Sequence, residues 1–341
     1  MNNSDDSGGG RKPVRIEDVA REAGVSPITV SRALSAPDKL RPATLKRVLE
    51  AVAKTGYVVN PIASSLRSGQ SPVVTVFVAS LHNPHFASAL QGVLDAFEGS
   101  RYQLMFTQTG YAETPRDDVI EIVRRVRPAA VMFTGICLPD TTRDTIRRFA
   151  VPTMEMWGDG GTPIDMVAGA SIHVAARSMG QHFAAQGYRH IAYCGQTKRP
   201  GGAGLAGFRE GLEAAGARLD HVHAVEGTGT MSAGMAAFSE IRTALPGCDA
   251  IFFGSDVLAV GAIIAARDLR VDLPGDVAIA GYGDLDFARH MKPALTTIQV
   301  ADYNTGRLAG AAVRTRLEGG KPLPVIEVPV RLMVRDSTPR R

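Results

Sequence analysis

The 341-residue chain is 45% hydrophobic and 21% charged, ordinary proportions for a globular protein long enough to hold more than one domain and a sizeable core. Its apolar runs are too short or too interrupted to span a bilayer, and the opening MNNSDDSGGGRKP lacks the apolar stretch of a secretory signal, so a cytoplasmic protein away from membranes is expected. The net charge of +4 lies at one end: residues 1–70 hold eleven Lys/Arg against seven Asp/Glu, and the rest of the chain holds twenty-seven of each.

That placement fits a first segment that meets phosphates. After a disordered tail over 1–13, RIEDVAREAGVSPITVSRALS carries the sharpest pattern. Ile16, Val19, Ala20 and Ala23 recur at helical spacing, which predicts a helix over 16–23. Gly24 follows where a chain leaving a helix needs positive φ, Ser26 is a good N-cap, and Pro27 suits the first position of a second helix. Val30, Ala33 and Leu34 then face inward, leaving Pro27, Ile28, Thr29, Ser31 and Arg32 outward. Two short helices joined so tightly form a helix-turn-helix, whose second helix enters the DNA major groove. Ile28 can pack on a thymine methyl, and Arg32 can reach a guanine or a phosphate. A third helix is expected over 42–55, stopped by Gly56, completing a domain at 14–59. The alternative is a three-helix interaction module without a DNA role. In the linker over 60–71, Asn60 can cap a short helix that leaves Leu66 exposed, either against the body or as a wedge between base steps of the minor groove.

From residue 72 the pattern alternates strands and helices. VVTVFVAS, YQLMFTQTG and AAVMFTG read as strands between helices in a first series, and HIAYCG, HVHAVEG, AIFFGSD and VAIAGYG do so in a second. Two such runs imply an α/β body of two doubly wound parallel-sheet lobes, with ligand at the carboxyl ends of the strands and a cleft suited to a small polar molecule. RPGGAGLAGF contains a G-x-G-x-x-G at Gly202, Gly204 and Gly207, with Glu226 where a dinucleotide fold keeps its ribose-binding acid. QTKRP separates these glycines from the preceding strand, however, so they are read as a loop and not as a pyrophosphate site. Cys137, Cys194 and Cys248 show no metal-ligand spacing; neither a metal nor another cofactor is expected.

IEDVAREAGVSPITVSRAL, its spacing to GYVVNPIASSL, and the later HNPHF, GYRHIAYCG, SDVLAVGA and PALTTI together resemble the LacI/GalR-type transcriptional repressors, over about residues 16–335. The helix-turn-helix and hinge motifs are the most specific of these. The resemblance implies a periplasmic-binding-protein-like body over 72–341, with one lobe at about 72–170 and 302–329 and the other at about 171–301 and 330–341. It further implies a homodimer on a pseudo-palindromic double-stranded operator, a hinge helix whose Leu66 intercalates, and a small sugar or sugar-acid effector. VPTMEMWGDGGTPIDMV resembles the subgroup that represses gluconate use. Several positions depart from the family pattern. Gly204 stands where many relatives carry an effector-clasping arginine, Gly283 where many carry an aspartate, Ile172 where many carry an asparagine, and Arg41 where relatives commonly cap the third helix with serine.

For the effector the candidate residues are Asn83, Phe86, Glu155, Trp157, Asp165, Arg199, Ser255 and Asp284. Trp157, the only tryptophan, can stack on a sugar face or simply pack at the loop base. Glu155 and Asp165 can accept ligand hydroxyls or cap a helix; Asn83 and Phe86 can line the cleft or act as a cap and a staple. A sugar acid also needs a cation, for which Lys198, Arg199, His82 and His85 are the candidates. Two rival classes are a two-lobed carbohydrate-binding protein without a DNA role and a nucleotide-dependent oxidoreductase; no catalytic constellation stands out, and no enzyme is expected.

Overall fold

Among the described residues, three helices come first, followed by two six-stranded sheets and the helices that cover them. The computed structural model describes residues 14–35, 37–58, 71–110, 116–135, 138–157, 162–198 and 202–339. The tail over 1–13, Asn60, Leu66, Cys137 and Arg199 lie outside the described residues. The chain divides into two compact units, residues 1–69 and 70–341.

In the first unit α1 (Ile16–Ala23), α2 (Pro27–Ser35) and α3 (Pro42–Thr55) occupy the ranges the sequence predicts. Gly24 ends α1 at φ 64°, and the Thr29 N–H donates to Ser26 Oγ (3.2 Å) at the start of α2, so turn and cap act within three residues. Val19, Ala20, Ala23, Val30, Ala33, Val48 and Ala51 form the core. These side chains are small, which lets the three helices approach closely. The Arg41 side chain makes no capping bond to α3; its carbonyl instead accepts from the N–H groups of Thr44 and Leu45.

The second unit begins with β1 (Val73–Val78), α4 (Pro84–Phe97), β2 (Gln103–Gln108), α5 (Asp117–Val126), β3 (Ala130–Thr134), α6 (Asp140–Phe149), β4 (Thr153–Met156) and β5 (Met166–Gly169). It continues with α7 (Ile172–Gln186), β6 (Ile191–Gly195), α8 (Gly202–Glu213), β7 (Leu219–Ala224), α9 (Met231–Ala244), β8 (Ala250–Phe253), α10 (Asp256–Asp268) and β9 (Ala278–Gly283). The chain closes with β10 (Thr296–Val300), α11 (Asp302–Leu317), β11 (Val325–Glu327) and β12 (Val330–Met333). The sheets run β11-β5-β4-β3-β1-β2 and β12-β10-β9-β8-β6-β7, parallel throughout except for β12, which runs antiparallel to β10. After β10, α11 packs on α4 and β11 joins the first sheet, and β12 returns to the second. In each sheet the winding reverses, between β1 and β3 in the first and between β6 and β8 in the second. Open α/β sheets bind ligands at these switch points, beyond the strand carboxyl ends.

One expectation is corrected here. The glycines of the G-x-G-x-x-G do not form a loop but begin and line α8. A Cβ on Gly207 would overlap the His173 carbonyl, and one on Gly211 the Arg177 carbonyl, both on α7. Gly180 on α7 meets the backbone of α8 in the same way. Gly207, Gly211 and Gly180 let two helices touch backbone to backbone, a packing role, while Gly204 lies beside the Ile172 side chain.

Candidate functional site

On the first unit, Ser26, Pro27, Ile28 and Arg32 are exposed and Thr29 and Ser31 half-buried. Ile28 is 67% exposed, a branched apolar side chain held in solvent on the leading turn of α2. The Thr29 hydroxyl lies 2.9 Å from Ser26 Oγ and is shared with the cap. Arg32 pairs with no carboxylate among the described residues, so its guanidinium is available.

On the second unit, the switch points of the two sheets face each other across a cavity of about 170 Å³. Asn83 and Phe86 reach it from the segment after β1, Gly135 from the end of β3, Gly195 and Gln196 from the end of β6, and Gly254 and Ser255 from the end of β8. Asn83 Oδ1 accepts the His85 N–H (3.1 Å) to cap α4, and Ser255 Oγ accepts the Val257 N–H (3.2 Å) to cap α10. Trp157 also lines it, 8% exposed, its ring 5.7 Å from that of Phe86. It follows β4 at φ 55°, a left-handed conformation unusual for so bulky a residue, and its N–H donates to the Ala168 carbonyl (2.9 Å). Such strain concentrates at ligand sites.

Three expected ligand residues lie elsewhere, because each carboxylate is already engaged. Glu155 is buried in a two-pronged ion pair with Arg143 of α6 and accepts the Ile164 N–H (2.7 Å). Asp165 accepts the Thr153 N–H (3.3 Å) and faces Arg316 (3.9 Å). Asp284 is held by Arg335 (2.5 Å) and Gln299 (2.8 Å). Of the four candidate cations, His85 lines the cavity, and Lys198 and His82 do not.

His85 is the centre of a buried network that sequence reading missed. Its Nδ1 lies 2.7 Å from Asp302 Oδ2, and its buried Nε2 has no hydrogen-bond partner among the described residues. Burial by itself lowers the imidazolium's pKa, but the hydrogen bond to Asp302 and that residue's charge outweigh it and hold His85 above its usual 6.5. Its ring fills the space a Cβ at Gly283 would take, so glycine at that position admits a side chain of the first lobe against the second. Next to it, Asp256 is fully buried and accepts the Leu285 N–H (2.8 Å) and the Thr297 hydroxyl (2.5 Å). Burial pushes its carboxyl up to about 6 against the pull of those two bonds. The Cys194 and Cys248 thiols are pushed up to about 12, chiefly by burial, and are inert. Among the described residues no group of three or more His, Cys, Asp or Glu is placed to hold a metal ion, and no helix is long and apolar enough to cross a membrane.

Comparison with known proteins bears on both units. Residues 15–60 match the family described as bacterial regulatory proteins, lacI family, and residues 180–338 match the periplasmic binding protein-like domain. The HTH-type transcriptional regulator GntR of Pseudomonas aeruginosa is 28% identical over 327 residues, 95% of each chain. The crystal structure of a LacI-family transcriptional regulator from Silicibacter pomeroyi superposes with a TM-score of 0.86 at 26% identity, covering 96% of this chain and all of that one. The lac repressor dimer bound to operator and an anti-inducer shares the fold, with a TM-score of 0.83 at 20% identity over 96% of this chain and 99% of that one. A helix-turn-helix unit joined to a two-lobed binding body is the architecture of a DNA-binding transcriptional regulator. Residues 15–60 carry the DNA-binding domain of the lacI family, and the chain as a whole is similar to regulators of that family.

Proposed function

We propose that the protein is a homodimeric repressor that reads a pseudo-palindromic operator and responds to a small molecule held between its two lobes. The observation that carries the DNA half is α2: Pro27, Ile28, Ser31 and Arg32 stand on its outer side, with a guanidinium that pairs with no carboxylate among the described residues and an apolar side chain in water. Ile28, Thr29, Ser31 and Arg32 read base edges, and Pro27 packs on the sugar edge. Asn60 and Leu66 act in the hinge, as the resemblance implies. Selection of duplexes from a random pool by the purified protein tests this. A pseudo-palindrome is expected, and Arg32→Ala is expected to weaken binding to it tenfold or more, as loss of a good base contact does. Selection of no common sequence contradicts the proposal.

The responding half rests on the cavity, with Asn83, Phe86, Trp157 and Ser255 as contacts. Closure around a ligand favours one lobe arrangement over another, and operator affinity follows. A sugar or sugar acid, gluconate first, is the effector favoured by the likeness to the Pseudomonas aeruginosa regulator. A carboxylate needs a cation there, and His85 already carries Asp302. A second reading of the ligand therefore follows from the cavity's own chemistry.

A further inference from the structure

The wall of the interlobe cavity is mostly hydrocarbon. Phe86 and Trp157 face it from the first lobe, and Ile172, Phe252, Val257 and Leu258 from the second. Its polar side chains are largely bonded within the protein. Asn83 and Ser255 accept helix N–H groups, Gln196 donates to the Gly227 carbonyl (2.7 Å), and the Tyr193 hydroxyl donates to the Gln196 carbonyl (3.3 Å). His85, the cation in the described wall, is neutralised by Asp302. Thr228 and Tyr282 remain, their hydroxyls making no hydrogen bond among the described residues.

A polyol in such a site finds only the capacity these bonded groups have left and the hydroxyls of Thr228 and Tyr282. A carboxylate there meets Asp302, with no uncommitted positive charge among the described residues of the wall. An apolar ring loses nothing on entry and gains the contacts of six aromatic and branched side chains. A dry cavity of roughly 150 Å³ walled by Leu, Ile and Phe holds a benzene-sized ring, and this one is of that size. We infer that the cavity selects a compact, uncharged ligand built on a single ring with one small polar substituent, in place of a sugar acid. This rests on the proposal that the cavity is the effector site.

Trp157, the only tryptophan, reports occupancy directly. The full-length protein is titrated with 4-methylphenol, cyclohexanol, glucose and gluconate, read by calorimetry and by emission excited at 295 nm. Saturable binding of either ring probe below about 1 mM, with no response to ten times as much gluconate or glucose, is expected. Val257→Thr, which keeps the shape and adds a hydroxyl, is expected to weaken ring binding about fivefold while circular dichroism and melting stay near the parent's. Ring probes that bind neither by heat nor by emission overturn the inference, and so does gluconate binding more tightly than they do. A ring that binds but leaves operator affinity unmoved supports the cavity's chemistry and counts against its role as effector site.

Discussion

Asp256 shows how one buried carboxyl sets a pH response. Its neighbours are two hydrogen-bond donors, the Leu285 N–H and the Thr297 hydroxyl, and the charged groups His85 and Asp284. Gly281 makes the room: a Cβ there would overlap the carboxylate oxygen. With a folded value of about 6 against an unfolded 3.8, the native state holds a proton between those limits that the unfolded chain releases. Its contribution is therefore fully present below the unfolded value and lost as pH rises towards 6, about 3 kcal/mol in all. His85, raised above 6.5, acts in the same direction: its contribution is present below 6.5 and lost as pH rises through the folded value. Against the parent, Asp256→Asn is expected to remove the loss of melting temperature between pH 4 and 6 that this group causes. Parallel melting profiles for the two proteins contradict the assignment. Little of this was legible in the sequence, because the His85–Asp302 pair joins residues 217 apart and Asp256 reads as an ordinary first-turn acid. Glu155 was read as a ligand residue because nothing in the sequence ties it to Arg143, its partner on α6. Asn83, Phe86 and Ser255 were legible because each closely follows a strand, where α/β sheets present their ligands.

Among the elements, α7 and α8 make the clearest case of composition read correctly and placed wrongly. A glycine-rich stretch has low helix propensity, and this one forms a helix because its glycines permit close contact with α7. Gly207→Ala would improve propensity in an isolated helix, yet here the added methyl meets the His173 carbonyl. A loss of about 1–3 kcal/mol, the usual range for overpacking, is expected in chemical denaturation of the protein. An unchanged or higher stability contradicts the close-packing account. The helices of the first unit were legible within about a residue because their signals are local: Gly24 and Gly56 as stops, Ser26 and Pro27 as a start. β4 and β5 were not read. Each has four residues, too few for a period, and their buried methionines acquire meaning only between β3 and β11.

At the scale of the whole molecule, a helical unit of net positive charge, proposed to contact DNA, precedes a body whose cavity lies between two sheets. The class was legible because motif order runs nearly the full length of the chain. The ligand was not, since cavity chemistry depends on which polar groups tertiary contacts leave unbonded. A ligand moves operator affinity only as far as it prefers one lobe arrangement, and couplings of about 1–3 kcal/mol, roughly five- to 150-fold, are usual. The most direct measurement is anisotropy of a labelled, selected operator titrated with the full-length protein at fixed salt, with and without a ligand shown to perturb Trp157 emission. The account predicts sequence-specific binding whose apparent affinity shifts at least fivefold when the cavity is filled. Specific binding that is indifferent to a saturated cavity would contradict it.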